Sequence, residues 1–419
     1  MGKLVRLLPV FVLAAAAACA SGPAPAPDPP ASFEPVATFR SPSGGAEIVA
    51  AAPDGKLLIY TDPVARAVGF VDLGDIHAPR ELGRVAVPGN PKSVAVALDG
   101  AWALVCAEAR PSFLMVLDVR ARSEIRRLPL GGQPDSIDIS PDGRYAAIVI
   151  ENQRDPAVDH ERMPQPPPGW LTIVDLEGGP TRFTTRDVAL IGLAERFPND
   201  PEPEFVAIDA RNRAAVTLQE NNHVVIVDLP SGKVLTHWSA GATTHAADTR
   251  DDGRIAFDDR IVGARREPDG IAWTPGGLLI TADEGDYDVD LAPGQFVGGR
   301  DFAVFSESGK LVFEPGATLE QEAARRGLYN DKRSDKRGIE PESVAVGMYG
   351  HRPFAFIVAE RGDFLAVYKL DDEARPELLQ LLRTGARPEG LLPLPARGLV
   401  VTANEGDGTL SIFALKSAS

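Results

Sequence analysis

The chain has 419 residues, 24% of them charged, and a formal net charge of −16. That acidity argues against nucleic-acid binding, which needs a basic face, and suits either solubility or the capture of cations. Two cysteines supply no disulfide framework, so the fold must hold through its apolar core, and the length is ample for one large repeat domain or two ordinary ones.

Residues 1–19 read as a targeting segment. Lys3 and Arg6 give the positive start, and residues 7–18 form an apolar run too short to span a membrane. Ala16-Ala17-Ala18 precede Cys19, a pattern that resembles a bacterial lipobox in which Cys19 becomes the lipidated first residue. An ordinary signal peptide cut at the small residues is the alternative reading. Residues 20–33, rich in Ala and Pro, read as a tether without a core of its own. Cys106 lies in the apolar run Trp102-Ala103-Leu104-Val105-Cys106 and reads as a buried, inert thiol.

From 34 to 416 one pattern recurs seven times. Each unit starts at a residue that usually follows Pro, alternates apolar and polar residues, turns, and runs through a second apolar stretch to an acid. The starts are Glu47, Lys92, Asp135, Glu204, Asp269, Glu342 and Glu389; the ends are Asp62, Glu108, Glu151, Glu220, Glu284, Glu360 and Glu405. Lys92 alone of these is not acidic. In the second unit, residues 92–97 alternate as a strand does, Asp99-Gly100 supplies a hairpin turn, and 102–107, 113–119 and 124–130 give three more strands. Seven such units without a strong amphipathic helix predict an all-β, seven-bladed β-propeller. The last unit shows only three strands, and a spare strand, 35–40, precedes the first. The expectation is that this N-terminal strand pairs as the outer strand of the last blade and closes the ring.

Insertions at 153–169, 188–203, 243–266, 287–300 and 315–339 lengthen the later units, and 319–326 is the one short helix expected. Within 243–266, Asp248, Asp252, Gly253, Ile255 and Asp259 fall at positions 1, 5, 6, 8 and 12 of an EF-hand loop, with Arg250 at position 3 where Asp or Asn belongs. A second metal loop on Asp248, Asp252 and Asp259 and an ordinary acidic loop both fit.

The first strand of each propeller blade lines the central channel, so the start acids are expected to ring one mouth, with the end acids close by. Carboxylates at that density repel unless cations or buried basic partners compensate, and hard oxygens are what Ca²⁺ prefers. The candidate ligands are Glu204, Glu220, Asp269, Glu284, Asp286, Glu342, Glu360, Glu389 and Glu405. The structural alternative has them capping turns or pairing with Arg266, Arg337, Arg361 and Arg387.

Several phrases carry a family resemblance: Arg266-Glu267-Pro268-Asp269-Gly270, Thr281-Ala282-Asp283-Glu284-Gly285-Asp286, Arg333 to Glu342 ending in Glu340-Pro341-Glu342, Phe354 to Arg361, and Thr402 to Asp407. They resemble the β-propeller proteins of the choice-of-anchor I group, which includes atypical secreted alkaline-phosphatase-like proteins. The Glu-Pro-Glu phrase is also similar to that of phytase-type esterase propellers. The resemblance implies a periplasmic or outer-surface envelope location, a propeller, and calcium-dependent phosphoester hydrolysis.

Two functions follow as expectations. In a phosphoesterase, Ca²⁺ held by the rings would neutralise phosphate and orient water, and Arg266, Arg337, Arg361 and Arg387 would clamp phosphate oxygens. No nucleophile elbow, HExxH or P-loop is present, and the six histidines are scattered, with His245 alone in acidic company. In a non-catalytic scaffold, a lipid-anchored, monomeric propeller would bind an envelope protein or polymer with its loop face while cations stiffen the ring. The arginines separate the two: they converge on the acidic mouth in the enzyme and point outward in the scaffold.

Overall fold

A computed structural model of the chain describes residues 1–2, 32–151, 163–285 and 295–416. Seven four-stranded antiparallel sheets stand around one axis. Their innermost strands are Val49–Ala51, Asn90–Val96, Gln133–Ile139, Pro203–Ile208, Ile271–Trp273, Pro341–Tyr349 and Pro388–Leu394, which define blades 1 to 7. The second strand of each blade is its most apolar: Trp102–Glu108 and Tyr145–Glu151, for example, are buried along nearly their whole length.

The reason is the period of two. Successive side chains of a strand face opposite neighbours, so a second strand must be apolar on both sides. Leu58 and Tyr60 pack towards blade 7, whereas Ile59 packs towards blade 2. Ala103, Val105 and Ala107 meet blade 1, and Leu104 and Cys106 meet blade 3. The result is seven separate apolar cores, one at each interface between adjacent blades. Cys106 has no exposed surface, and burial pushes its thiol pKa up, as an inert core residue requires.

Blade 7 supplies three strands from the C-terminal end of the chain, and the N-terminal strand Ser32–Arg40 pairs antiparallel with its last strand, Thr409–Lys416. The ring closes as the unit count requires. The strand begins at Ser32 rather than at the expected residue 35, because Phe33 is an anchor. Its ring is 2% exposed and meets Tyr349, Phe354 and Phe356 edge-on. The expected short helix is Thr318–Arg325. The acidic insertion contains a β-hairpin, Ala242–Ala247 with Asp259–Arg265, which forms a small sheet of its own.

Candidate functional site: an acidic channel mouth

Each innermost strand enters the channel through a proline or a short turn, and several carry a bulge there. In blade 6, Pro341 pairs with Ala359 and Val344 with Ile357, so Glu342 and Ser343 share the space of one partner. Blades 2, 3, 4 and 7 shift register at the same place. A bulge re-aims a side chain, and here the re-aimed residue is the start acid. All seven start residues, Glu47, Lys92, Asp135, Glu204, Asp269, Glu342 and Glu389, line one central cavity of about 790 Å³. Below them the wall turns apolar, with Val94, Ile137, Val206, Ile271, Val344 and Leu391.

The end residues divide. Glu151 and Glu284 reach the channel, and so does Gln219. Ladder register explains why Gln219 does so in place of Glu220 and why Asp62 does not. Residues 108, 151, 284, 360 and 405 follow their inner-strand partners at one fixed step, and in blade 4 that step falls on Gln219, not Glu220. Asp62 falls one residue earlier, at the position of Asp283 and Asn404. A slip of one residue turns a side chain to the other side. Asp62 therefore leaves the ring and holds Ser41, the Ala65 amide and Arg84 (2.9 Å). Glu220 likewise does not line the channel and instead joins Glu151 and Glu202 in a separate carboxylate group. Glu360 and Glu405 stand behind the channel wall and pair with Arg361 (3.1 Å) and Arg387 (3.3 Å). Asp286 lies outside the described residues.

Two carboxylate triads form at the mouth, and they are built alike. Asp135, Glu151 and Glu204 bring one oxygen each within 4.8 Å of one another, and so do Asp269, Glu284 and Glu342. Each triad takes the start and end acids of one blade and the start acid of the next. Gln133 donates to Glu151 at 3.0 Å, and Gln219 donates to Glu284 at 2.6 Å. Lys92 stands between Glu47 (3.8 Å) and Asp135 (3.4 Å) and is the single cationic side chain among the described channel residues.

Burial first, and neighbouring carboxylates second, push these acids up. Glu47 rises to about 7, held down in part by Lys92. Asp269 rises to about 7, with a hydrogen bond from Glu342 working against its burial. Glu204, Glu342 and Glu389 are also pushed well above the usual carboxylate range, each by burial and then by an adjacent acid. Glu342 Oε2 is buried with no hydrogen-bond partner. An all-oxygen donor set with an orphaned buried oxygen fits a hard divalent cation and no soft one.

The arginines do not act as one group. Arg266 is 2% exposed and lies outside the channel, with Asp283 at 3.3 Å, Glu314, and the Ala240 carbonyl at 2.8 Å. It cannot reach a ligand at the mouth, which corrects its expected clamp role. Arg337 bonds Glu284 (2.9 Å) and Glu340 (3.0 Å), and Arg361 reaches Glu340 (3.4 Å) and Glu360. None of the four lines the channel: Arg337, Arg361 and Arg387 are each engaged with a carboxylate behind its wall, and Arg266 is buried.

The EF-hand-like loop does not assemble. Asp248, Asp252 and Asp259 form no convergent group. Asp248 accepts the Arg250 and Ala256 amides, while Asp252, Asp258 and Asp259 surround Arg250. The arginine at loop position 3 fills the place a cation would take. His245 bonds the Gly299 carbonyl at 2.8 Å and is structural.

Two residues escaped the sequence reading. Glu202 and Glu340, both fully buried, each stand two residues before a start acid and join the end acids: Glu151–Glu202–Glu220 and Glu284–Glu340–Glu360. The signal was the Glu-Pro-acid phrase, which recurs at 202–204, 267–269 and 340–342. Glu267 and Glu340 take left-handed backbone angles, φ 46° and 51°, unusual for a side-chain-bearing residue and common at functional positions.

With this geometry in view, the chain matches the choice-of-anchor I domain over residues 47–297 and 290–373, most of the propeller. The chain belongs to the choice-of-anchor I family. Choice-of-anchor membership points to the bacterial cell surface, and no helix among the described residues is long and apolar enough to cross a membrane. Gigasin-3a of Magallana gigas is 28% identical over 106 residues, 22% of this chain and 37% of that protein, so the chain spans well under half of that relative's length. Among solved structures, hydrazine synthase of Kuenenia stuttgartiensis shares 16% identity at a TM-score of 0.61, covering 91% of this chain and 98% of that one. The Cps50 (Swd1) β-propeller of Myceliophteria thermophila shares 11% identity at a TM-score of 0.60, covering 93% and 100%. A streptogramin B lyase shares 13% identity at a TM-score of 0.56, covering 92% and 98%. At these identities the likeness is one of fold alone.

Proposed function

We propose that this choice-of-anchor I propeller is a cell-surface binding scaffold whose acidic channel mouth takes up Ca²⁺. The observation that carries the reading is the Asp269–Glu284–Glu342 triad, three carboxylates from two blades within 4.8 Å, with an orphaned oxygen on Glu342. A Ca²⁺ ion there would supply positive charge that ties blade 5 to blade 6 and offers an anionic partner, such as an acidic envelope polymer, a place to bind. Cys19 would anchor the molecule by its lipid.

The alternative, an alkaline-phosphatase-like or phytase-like phosphoesterase, needs cationic side chains free to hold phosphate. Engagement of Arg337, Arg361 and Arg387 by carboxylates, and burial of Arg266, favour the scaffold. The test is calorimetric titration of CaCl₂ into chelator-treated protein, run beside a chromogenic phosphomonoester assay. The scaffold reading expects calcium uptake that weakens at least tenfold in Glu342→Gln, with no turnover. Calcium-dependent turnover lost in that variant would replace the scaffold with the esterase, and absence of calcium binding would remove both.

A further inference from the structure

The two outer strands of blade 4 carry a histidine each. His223 opens the third strand, His223–Asp228, and His237 lies in the outermost strand, Lys233–Ser239. The strands pair antiparallel, with His223 opposite Ser239 and Val225 opposite His237. Residues two apart on a strand share a side, so the histidines are diagonal neighbours on one face of the sheet. His223 Nε2 and His237 Nδ1 stand 2.9 Å apart, with ring centroids at 5.2 Å and ring planes tilted by 37°.

His223 is 4% exposed, whereas His237 is exposed. Burial first, and the neighbouring His237 second, push the His223 pKa down to about 4, so at neutral pH its imidazole is uncharged and keeps a lone pair for a ligand. The hydrogen bond places one proton between the facing nitrogens. Moving that proton to the other nitrogen of its own ring frees both facing lone pairs, with no net loss of a proton. Imidazole nitrogen suits Cu²⁺, Ni²⁺ and Zn²⁺, whereas Ca²⁺ takes oxygen. Two nitrogens that are each about 2.0 Å from one ion lie about 2.9 Å apart at a right angle and about 3.3 Å apart at a tetrahedral angle. The observed separation is the right-angled one, which tetragonal Cu²⁺ adopts and tetrahedral Zn²⁺ does not.

We infer that His223 and His237 chelate one Cu²⁺ ion on the outer edge of blade 4. His223, fixed by its packing, is the stationary ligand. His237, exposed on the outermost strand, turns its ring until both lone pairs meet on the ion, and water fills the remaining positions. Neither histidine lines the channel, and the donors are nitrogens, so the site is independent of the calcium reading.

The test is titration of the full chain with CuCl₂ in excess CaCl₂, which holds the oxygen sites, read by electron paramagnetic resonance. One Cu²⁺ per chain with two equatorial nitrogens is expected. His237→Gln, at an exposed position, should leave at most one nitrogen and weaken uptake at least about tenfold, because the second ligand no longer acts at high local concentration. His223→Gln should give the same loss, and His77→Gln, which replaces an exposed histidine elsewhere, should change neither spectrum nor uptake. A two-nitrogen spectrum that survives in His237→Gln overturns the proposal. So does uptake through oxygen alone, or uptake lowered equally by His77→Gln, and the pair is then a hydrogen bond within the sheet.

Discussion

Ring closure rests on Phe33. Its side chain is 2% exposed, and its ring sits 5.2–5.6 Å from those of Tyr349, Phe354 and Phe356, at the seam between blades 6 and 7. Its backbone is clasped by Gln380, which accepts from the Phe33 amide (2.7 Å) and donates to its carbonyl (3.2 Å). Phe33→Ala removes the buried ring and leaves a cavity, a change that costs about 3–5 kcal/mol in a packed core. With an unfolding entropy of roughly 2.1 cal/mol/K per residue over about 385 residues, the midpoint should fall by about 4–6 °C. Differential scanning calorimetry reads this directly, with the exposed Glu34→Ala as control. Loosening the strand also bares the edge of blade 7, so association should rise with concentration. A midpoint within about 1 °C of the parent would refute the anchoring role of Phe33.

Two further outcomes concern the acidic mouth. Glu47 and Asp269 have folded pKa values of about 7, above their unfolded values near 4, so their contribution to stability is full below about pH 4 and lost as pH rises through 7. In chelator the thermal midpoint should therefore fall from pH 5 to pH 8, and Ca²⁺ added at pH 8 should restore it; a flat profile contradicts the burial argument. Lys92→Gln removes the cation beside Glu47, so calorimetry in chelator should show a larger drop in midpoint at pH 8 than at pH 5, where Glu47 is protonated. Equal losses at both pH values would mean that the Lys92–Glu47 contact does not stabilise by charge.

The propeller was legible because its signals are local. Asp99-Gly100 and Asp142-Gly143 mark hairpins, and the apolar second strands mark surfaces buried on both faces. The start acids were legible too, since each follows the turn into an innermost strand. The end acids were aligned by charge, and charge does not report register: Asp62 and Glu220 each sit one residue out of step, so they face away from the channel. The fate of Arg266 was not legible, because its partner Glu314 lies 48 residues on, in a different part of blade 5. Glu202 and Glu340 were missed because a residue before proline reads as turn chemistry until the fold brings one carboxylate of its own blade and one of the neighbouring blade beside it.

The pairing of Ser32–Arg40 with Thr409–Lys416 also sets the order of events during biosynthesis. The strand Ser32–Arg40 has no sheet partner until Thr409–Lys416 has been made. Blades 1 to 6 can gather their interfaces as they appear, but the ring stays an open arc until that strand is in place. Until then the edge of blade 7 lies bare, so the folding step that completes the ring is also the one that hides its last unpaired strand.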